Sequence, residues 1–312
     1  MRSGETMQFL KMHGCGNDFV VTHLTEGAGR ADALMRAAPA VCDRRRGVGA
    51  DGLIVLLPSE RADLRMRIAN ADGSEAEMCG NGIRCAFVYA RMRGLLKAGR
   101  AVFETLAGPI ETEAEGDGVR VNMGRPRLAA AQIPVTATGS RVVDREVEAG
   151  GRRFRLTAVS MGNPHAVIHA DELTDELVLG FGPQIERHPF FARHVNVEFV
   201  KVLSPDRIRM RVFERGVGET QACGTGACAA AVAGVLTGRS GTSVTVELSG
   251  GELAIAWDGD PGHAVMMSGP AVCVYEGCMA LPGLDTVAPA TRKATAGRRA
   301  RTRRELTHEV TV

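Results

Sequence analysis

Two stretches of the chain make the same switch of periodicity. In residues 64–70, Met66 and Ile68 alternate with Arg65 and Arg67; in residues 207–213, Ile208, Met210 and Val212 alternate with Arg207, Arg209 and Arg211. Apolar positions at every second residue predict half-buried strands. A polar, glycine-containing loop follows in both places. Beyond it Ile83, Phe87 and Ala90, and likewise Ala227, Ala230 and Ala231, recur at helical spacing. Each stretch therefore reads strand, loop, Cys-Gly-x-Gly, helix. The cysteines, Cys79 and Cys223, fall at the helix starts.

These stretches are an internal repeat. Residues 64–90 align on residues 208–234 without a gap at an offset of 144, with nine of 27 positions identical. Gly16-Asn17 answers Gly162-Asn163 at an offset of 146. Two echoes at nearly one offset imply two structurally equivalent halves. Elsewhere strands dominate. Residues 52–57 (GLIVLL) read as a buried strand, residues 242–248 and 252–257 as a hairpin across Ser249-Gly250-Gly251, and residues 271–275 as a last strand. The predicted fold is α+β: two pseudo-symmetric domains, each a mixed β-sheet wrapped around a central helix. The boundary is placed near residues 124–131, with Pro126 as breaker. The expected organisation is a first half over 1–124, a second over 125–268, a strand over 269–280 returning to the first half, and a tail over 281–312.

Composition narrows the function classes. The chain has 312 residues, 45% hydrophobic and 24% charged, which is ordinary for a globular protein. Aromatics are only 4%, too few for a stacking platform on single-stranded nucleic acid. No apolar run is long enough for a spanning helix, and the first 20 residues lack a secretory h-region, so no membrane partner and a cytoplasmic location are expected. The net charge of +2 divides into +4 on residues 281–312 and −2 on the rest. That tail is read as disordered rather than as a polyanion-binding arm, and no nucleic-acid partner is expected. Eight cysteines include no C-x-x-C pair, so no metal site is expected. Six of them, all but Cys79 and Cys223, are expected to be small buried side chains.

A cysteine at a helix N-terminus faces free backbone N–H groups and the positive end of the dipole. Both favour the thiolate, and the expected pKa falls to about 3.5–7.5. Gly80, Gly82, Gly224 and Gly226 let an anion approach the amides. Pseudo-symmetry would bring both helix starts to one cleft. An α-carbon held there by its carboxylate lies between two sulfurs, each about 3–3.5 Å away and hence roughly 6–7 Å apart. One thiolate removes the α-proton and the opposite thiol returns one, which inverts the centre. No pyridoxal-phosphate or nucleotide fingerprint is present, so no cofactor is expected. Amide donors aimed at the carboxylate must stabilise the carbanion.

The segments ADGSEAEMCGNGIRC, ERGVGETQACGTGA, MHGCGNDFV and SMGNPHAV occur in the order, over about residues 7–280, in which this sequence resembles the diaminopimelate epimerases. The resemblance implies cofactor-independent conversion of LL- to meso-2,6-diaminopimelate, in the supply of lysine and peptidoglycan precursors, by a homodimer. It places the acid–base pair on Cys79 and Cys223 and the carboxylate cradle on Gly80, Asn81, Gly224 and Thr225. Contacts to the substrate amine and its distal end fall on Asn17, Asn70, Asn163, Asn196, Glu214 and Arg215. His165 is a candidate orienting or proton-handling neighbour. The chain departs from the pattern at Gly52, where the family often has Gln, and at Cys15, and Met7 rather than Met1 matches the usual start. Proline racemases and hydroxyproline epimerases resemble the arrangement too, but carry His where this chain has Asn81. A racemase of another polar amino acid is the alternative that the resemblance leaves open.

Overall fold

The computed structural model describes residues 6–25, 28–136 and 139–281. The basic tail, the first five residues and the expectations attached to them lie outside this range. The first half comprises β1 (Thr6–Gly14), β2 (Asn17–His23), α1 (Ala28–Cys42), β3 (Gly52–Leu57), β4 (Leu64–Asn70), β5 (Glu75–Ala76), α2 (Gly80–Met92), β6 (Arg100–Thr105), β7 (Gly108–Glu115) and β8 (Gly118–Asn122). The second comprises β9 (Arg145–Ala149), β10 (Arg152–Ser160), β11 (Pro164–His169), α3 (Gly182–Glu186), β12 (Asn196–Ser204), β13 (Arg207–Glu214), β14 (Gly218–Thr220), α4 (Gly224–Thr237), β15 (Ser243–Leu248), β16 (Gly251–Ala256) and β17 (Met266–Gly269). A last strand, β18 (Val272–Ala280), closes the described chain.

The pairings repeat. In the first half β1–β2 is antiparallel, β2–β3 parallel, β3–β4 antiparallel, β4–β6 parallel, and β6–β7 and β7–β8 antiparallel. In the second half β10–β11, β11–β12, β12–β13, β13–β15, β15–β16 and β16–β17 carry the same signs in the same order. The outer strand differs in origin. β9 precedes its partner β10 directly, whereas β1 is flanked by β18 from the far end of the sequence. The halves join through antiparallel β8 and β17, with Val121 opposite Met267. Those two residues are 146 apart, the offset of the Gly-Asn echo, so a pseudo-twofold axis runs between them.

Local chemistry explains the repeated residues. Met66 and Met210 are 2% and 1% exposed and anchor β4 and β13 to the core. Arg67 forks onto Glu75 with Nε–Oε1 at 2.7 Å, and Arg211 forks onto Glu219 at the same distance. Each fork clamps the hairpin that leads to a cysteine. Helix α2 touches β1, β2, β3, β4, β8 and β18, and α4 touches β10 to β13 and β15 to β17. Both are buried nearly all round, the signature of a helix enclosed by its sheet rather than lying on it. Phe87, 1% exposed, is a large anchor of α2; its truncation to Ala is expected to cost about 3–5 kcal/mol. One core cluster runs from α2 into α4 across the seam, with smaller clusters under α1 and against α3.

Candidate active site

Each cysteine caps its helix in the extended conformation that an N-cap requires, Cys79 at φ −139° and Cys223 at φ −123°. The Gly82 amide donates to Cys79 Sγ at 3.4 Å, and the Gly226 amide to Cys223 Sγ at 3.4 Å. The helix starts meet through glycine. A Cβ built on Gly80 would lie 3.7 Å from Gly224 Cα and 2.9 Å from Met267 Cε. Met267, beside the pseudo-twofold axis, is thus the floor beneath both ends. A cleft of about 1550 Å³ opens above it.

Of the residues singled out from the sequence, Asn17, Asn70, Cys79, Gly80, Asn81, Asn163, Glu214, Arg215, Cys223, Gly224 and Thr225 line this cleft. Asn196 and His165 stand behind it. Asn196 is 4% exposed; its Nδ2 donates to Pro164 O at 3.2 Å, and its Oδ1 accepts from Arg215 N at 2.9 Å. It fixes the backbone of Arg215, whose exposed side chain lines the cleft and donates from Nη1 to Arg193 O at 3.3 Å. Gly52 is pressed against the neighbouring strand, where a Cβ would lie 2.9 Å from Ala69 O. This backbone leaves no space for a longer side chain without adjustment. Cys15 is buried, held at φ +52°, with Sγ donating to Glu252 O at 3.7 Å, and it does not line the cleft.

At the Cys79 end, Asn17 Nδ2 donates to Asp51 at 2.9 Å, and Asp51 also accepts from Arg44 at 2.8 Å. That contact turns Asn17 Oδ1 toward Asn81 Nδ2 (3.2 Å) and the Cys79 thiol (3.6 Å). At the Cys223 end, Thr225 Oγ1 lies 3.5 Å from Sγ and accepts from Asn163 Nδ2 at 3.3 Å. Asn163 Oδ1 is 3.0 Å from His165 Nε2, and His165 Nδ1 is 2.7 Å from Glu198 Oε1. His165 and Glu198 are both fully buried. A chain of contacts therefore runs from a buried carboxylate to the mouth of the second thiol.

The surroundings of the two thiols work against the acidity that helix position alone predicts. Burial pushes Cys79 up; the Gly82 and Asn81 amides and the Arg84 guanidinium pull it part of the way back. Burial pushes Cys223 well above the ordinary thiol value, and the Glu214 and Glu198 carboxylates add to the rise. Removing water costs a thiolate more than a helix end returns. Glu214 is itself raised, chiefly by burial, and accepts from Thr220. A second correction concerns the other cysteines: Cys15, Cys42, Cys85 and Cys228 are buried, but Cys273 is part-exposed and Cys278 exposed on β18.

Sequence reasoning missed Glu198, Arg84, Asp51 and Arg44. Glu198 was visible as the single charge inside the apolar run Val195–Val200. Arg84 was visible only as a mismatch in the repeat, where it aligns with Cys228.

A duplicated fold that brings two helix-capping cysteines into one cleft is the architecture of an amino-acid epimerase. The family profile described as diaminopimelate epimerase matches residues 9–129 and 157–274. A diaminopimelate epimerase of Desulforudis audaxviator is 55% identical over 277 residues, covering 87% of this chain and 98% of that one. A diaminopimelate epimerase of Moorella thermoacetica is 54% identical over 276 residues, with the same coverage. The chain belongs to the diaminopimelate epimerase family. Among solved structures, a hydroxyproline epimerase from Agrobacterium vitis superposes with a TM-score of 0.64 at 18% identity, covering 90% of this chain and 94% of that one. A Bacillus anthracis protein of the PhzF phenazine-biosynthesis family gives 0.62 at 18% identity, covering 88% and 99%. These two likenesses concern the fold.

Proposed function

We propose that this protein interconverts LL- and meso-2,6-diaminopimelate by two-base proton transfer between Cys79 and Cys223. The observation that carries the reading is the meeting of the two cysteine-capped helix starts, glycine against glycine, in one cleft. The substrate α-carboxylate is cradled by amides at Gly80, Asn81, Gly224 and Thr225, where two dipoles converge. The α-carbon then sits between the sulfurs. A thiolate on one side takes the α-proton while the thiol opposite delivers its own. Negative charge grows toward the carboxylate, where fixed N–H donors meet it. The part-buried Glu214 is suited to the reacting ammonium. Arg215 reaches the cleft with its guanidinium exposed, a fork for the distal carboxylate. Asn17, Asn70 and Asn163 offer donors and acceptors along the wall, and Asn196 and His165 hold this wall from behind.

The same reading takes the enzyme as a cytoplasmic homodimer in lysine and peptidoglycan precursor synthesis. Among the described residues no helix is long and apolar enough to cross a membrane. The test is proton NMR of the reduced protein with LL-2,6-diaminopimelate in D2O. Loss of the α-proton signal together with appearance of the meso isomer is expected. No exchange with confirmed free thiols would move the substrate to another amino acid.

A further inference from the structure

Arg84 is the largest fully buried side chain among the described residues, at 0% exposure. An arginine stays charged at every working pH, and burying that charge without a carboxylate is costly. Among the described residues its partners are uncharged as described. Nε donates to Pro270 O at 3.1 Å, Nη1 to Gly80 O at 3.1 Å and Met267 Sδ at 3.8 Å, and Nη2 to Asn81 Oδ1 at 2.9 Å and Cys15 Sγ at 3.7 Å. Its donors are thus satisfied while its charge is left uncompensated. The guanidinium sits under the first turn of α2, the turn that Cys79 caps. At the equivalent place under α4 stands the uncharged, buried Cys228. There the fixed groups are instead Glu198 on β12 and Glu214 on β13. The groups buried beneath the two helix starts therefore differ in sign, a guanidinium under α2 and the Glu198 carboxylate under α4.

We propose that Arg84 is a positioning residue whose buried charge makes Cys79 the first of the two cysteines to give up its proton, leaving Cys223 as the thiol. This rests on the two-base reading above. The charged groups acting on Cys79 are Arg84 from its own helix and Glu214 from β13; those acting on Cys223 are Glu214 and Glu198, with His165 hydrogen-bonded to the latter. At 2.9 Å from Asn81 Oδ1, the guanidinium also sets the Asn81 amide so that Nδ2 points at Asn17 Oδ1 and Ala222 O. Through this side chain the same cation braces the cradle of the opposite half.

The experiment is alkylation of the full-length reduced protein by iodoacetamide across pH, without substrate, with Cys79 and Cys223 read separately by peptide mass spectrometry. In the wild type Cys79 is expected to react at a pH at least one unit below Cys223. Arg84→Met is expected to move the Cys79 midpoint up by one unit or more and to leave Cys223 nearly in place. Arg84→Lys is expected to restore most of the difference. Wild-type protein in which Cys223 reacts first overturns the proposal, and this arm stands even where Arg84→Met does not fold. A folded Arg84→Met with an unmoved Cys79 profile overturns it too. Because no substrate is present, these outcomes are independent of the NMR test; absent exchange with the expected labelling order would discard the substrate and keep the charge asymmetry.

Discussion

The starts of α2 and α4 share a cap, a glycine step and a hydrogen bond of one length, yet they stand on different floors. Register equates Phe19 with His165, since they face Gly52 and Asn196 at the same point of the β2–β3 and β11–β12 pairs. It likewise equates Ile54 with Glu198, which face Ile68 and Val212. The first helix thus rests on a phenyl ring and an isoleucine. The second rests on a buried imidazole–carboxylate pair. A Cβ on Gly82 would meet Ile54 Cδ1 at 3.1 Å, and one on Gly226 would meet Glu198 Oε1 at 2.8 Å. Duplication supplies two thiols in mirrored positions. Divergence beneath them places different groups near the two sulfurs, so the two one-proton states of the pair, each competent for one direction of a stereoinversion, are not equivalent.

The sharpest way to break the comparison is to remove one thiol at a time. Cys79→Ala and Cys223→Ala are each expected to lower inversion by roughly 10²–10⁴-fold, the range of a general acid–base group. Each is also expected to keep solvent exchange of the α-proton of one isomer, followed by NMR with both stereoisomers. Equal loss of exchange toward both isomers would show that the faces do not act separately.

A milder change gives the second half the floor of the first. The double variant His165→Phe with Glu198→Ile is expected to lower the pH at which Cys223 alkylates, since a nearby carboxylate is gone. Its stability, from urea titration, is expected to be unchanged or up to about 4 kcal/mol higher, because apolar packing often equals a buried polar pair. Glu198→Ile alone is expected to be the less stable of the two, as it strands His165.

Smaller still is the contrast between Gly226→Ala and Gly82→Ala. The first drives a methyl into a buried carboxylate oxygen and is expected to cost about 1–3 kcal/mol. The second meets the end of an isoleucine, which can turn, and helix propensity returns roughly 0.5–1 kcal/mol. Thermal unfolding of both variants checks the order; equal losses would mean that the two floors yield alike.

The finest contrast is between His23 and His169, which close β2 and β11 at the 146 offset. His23 bonds Tyr89 Oη at 2.8 Å, while His169 Nε2 is buried without a partner. Burial first, then Arg239, lowers His169 to about 4. The neutral form is thus favoured in the fold. Stability from this group is complete above the unfolded pKa near 6.5 and is lost as pH falls from there toward 4, by up to about 3 kcal/mol. His169→Asn is expected to flatten that slope in urea titrations between pH 6.5 and 4, and His23→Asn to change it less.

Much of this was legible in the chain. Alternation at Met66 and Met210 gave the strands, helical spacing after Cys79 and Cys223 gave the central helices, and the 144-residue offset gave the duplication. β3 lies at the residues that its apolar run marks. The hairpin at Ser249–Gly251 falls within a residue of its expected place. The antiparallel strands β6 to β8 and β9 to β10 were not read, because their alternation is diluted by exposed charged residues. Helix α1 was missed as well: its apolar face is formed largely by alanine, and Pro39 interrupts its last turn.

The sequence by itself determined the two halves, the cysteine at each helix start and the glycines beside it, since periodicity and capping are local properties of a few neighbouring residues. Only the tertiary structure decided which charges stand near each sulfur. Arg84 and Glu198 lie in separate strands and helices, and a buried charge acts through distance and exclusion of water rather than through spacing along the chain. For the same reason helix position predicted acidic thiols, while the folded surroundings, which part-bury Cys79 and bury Cys223, push both the other way.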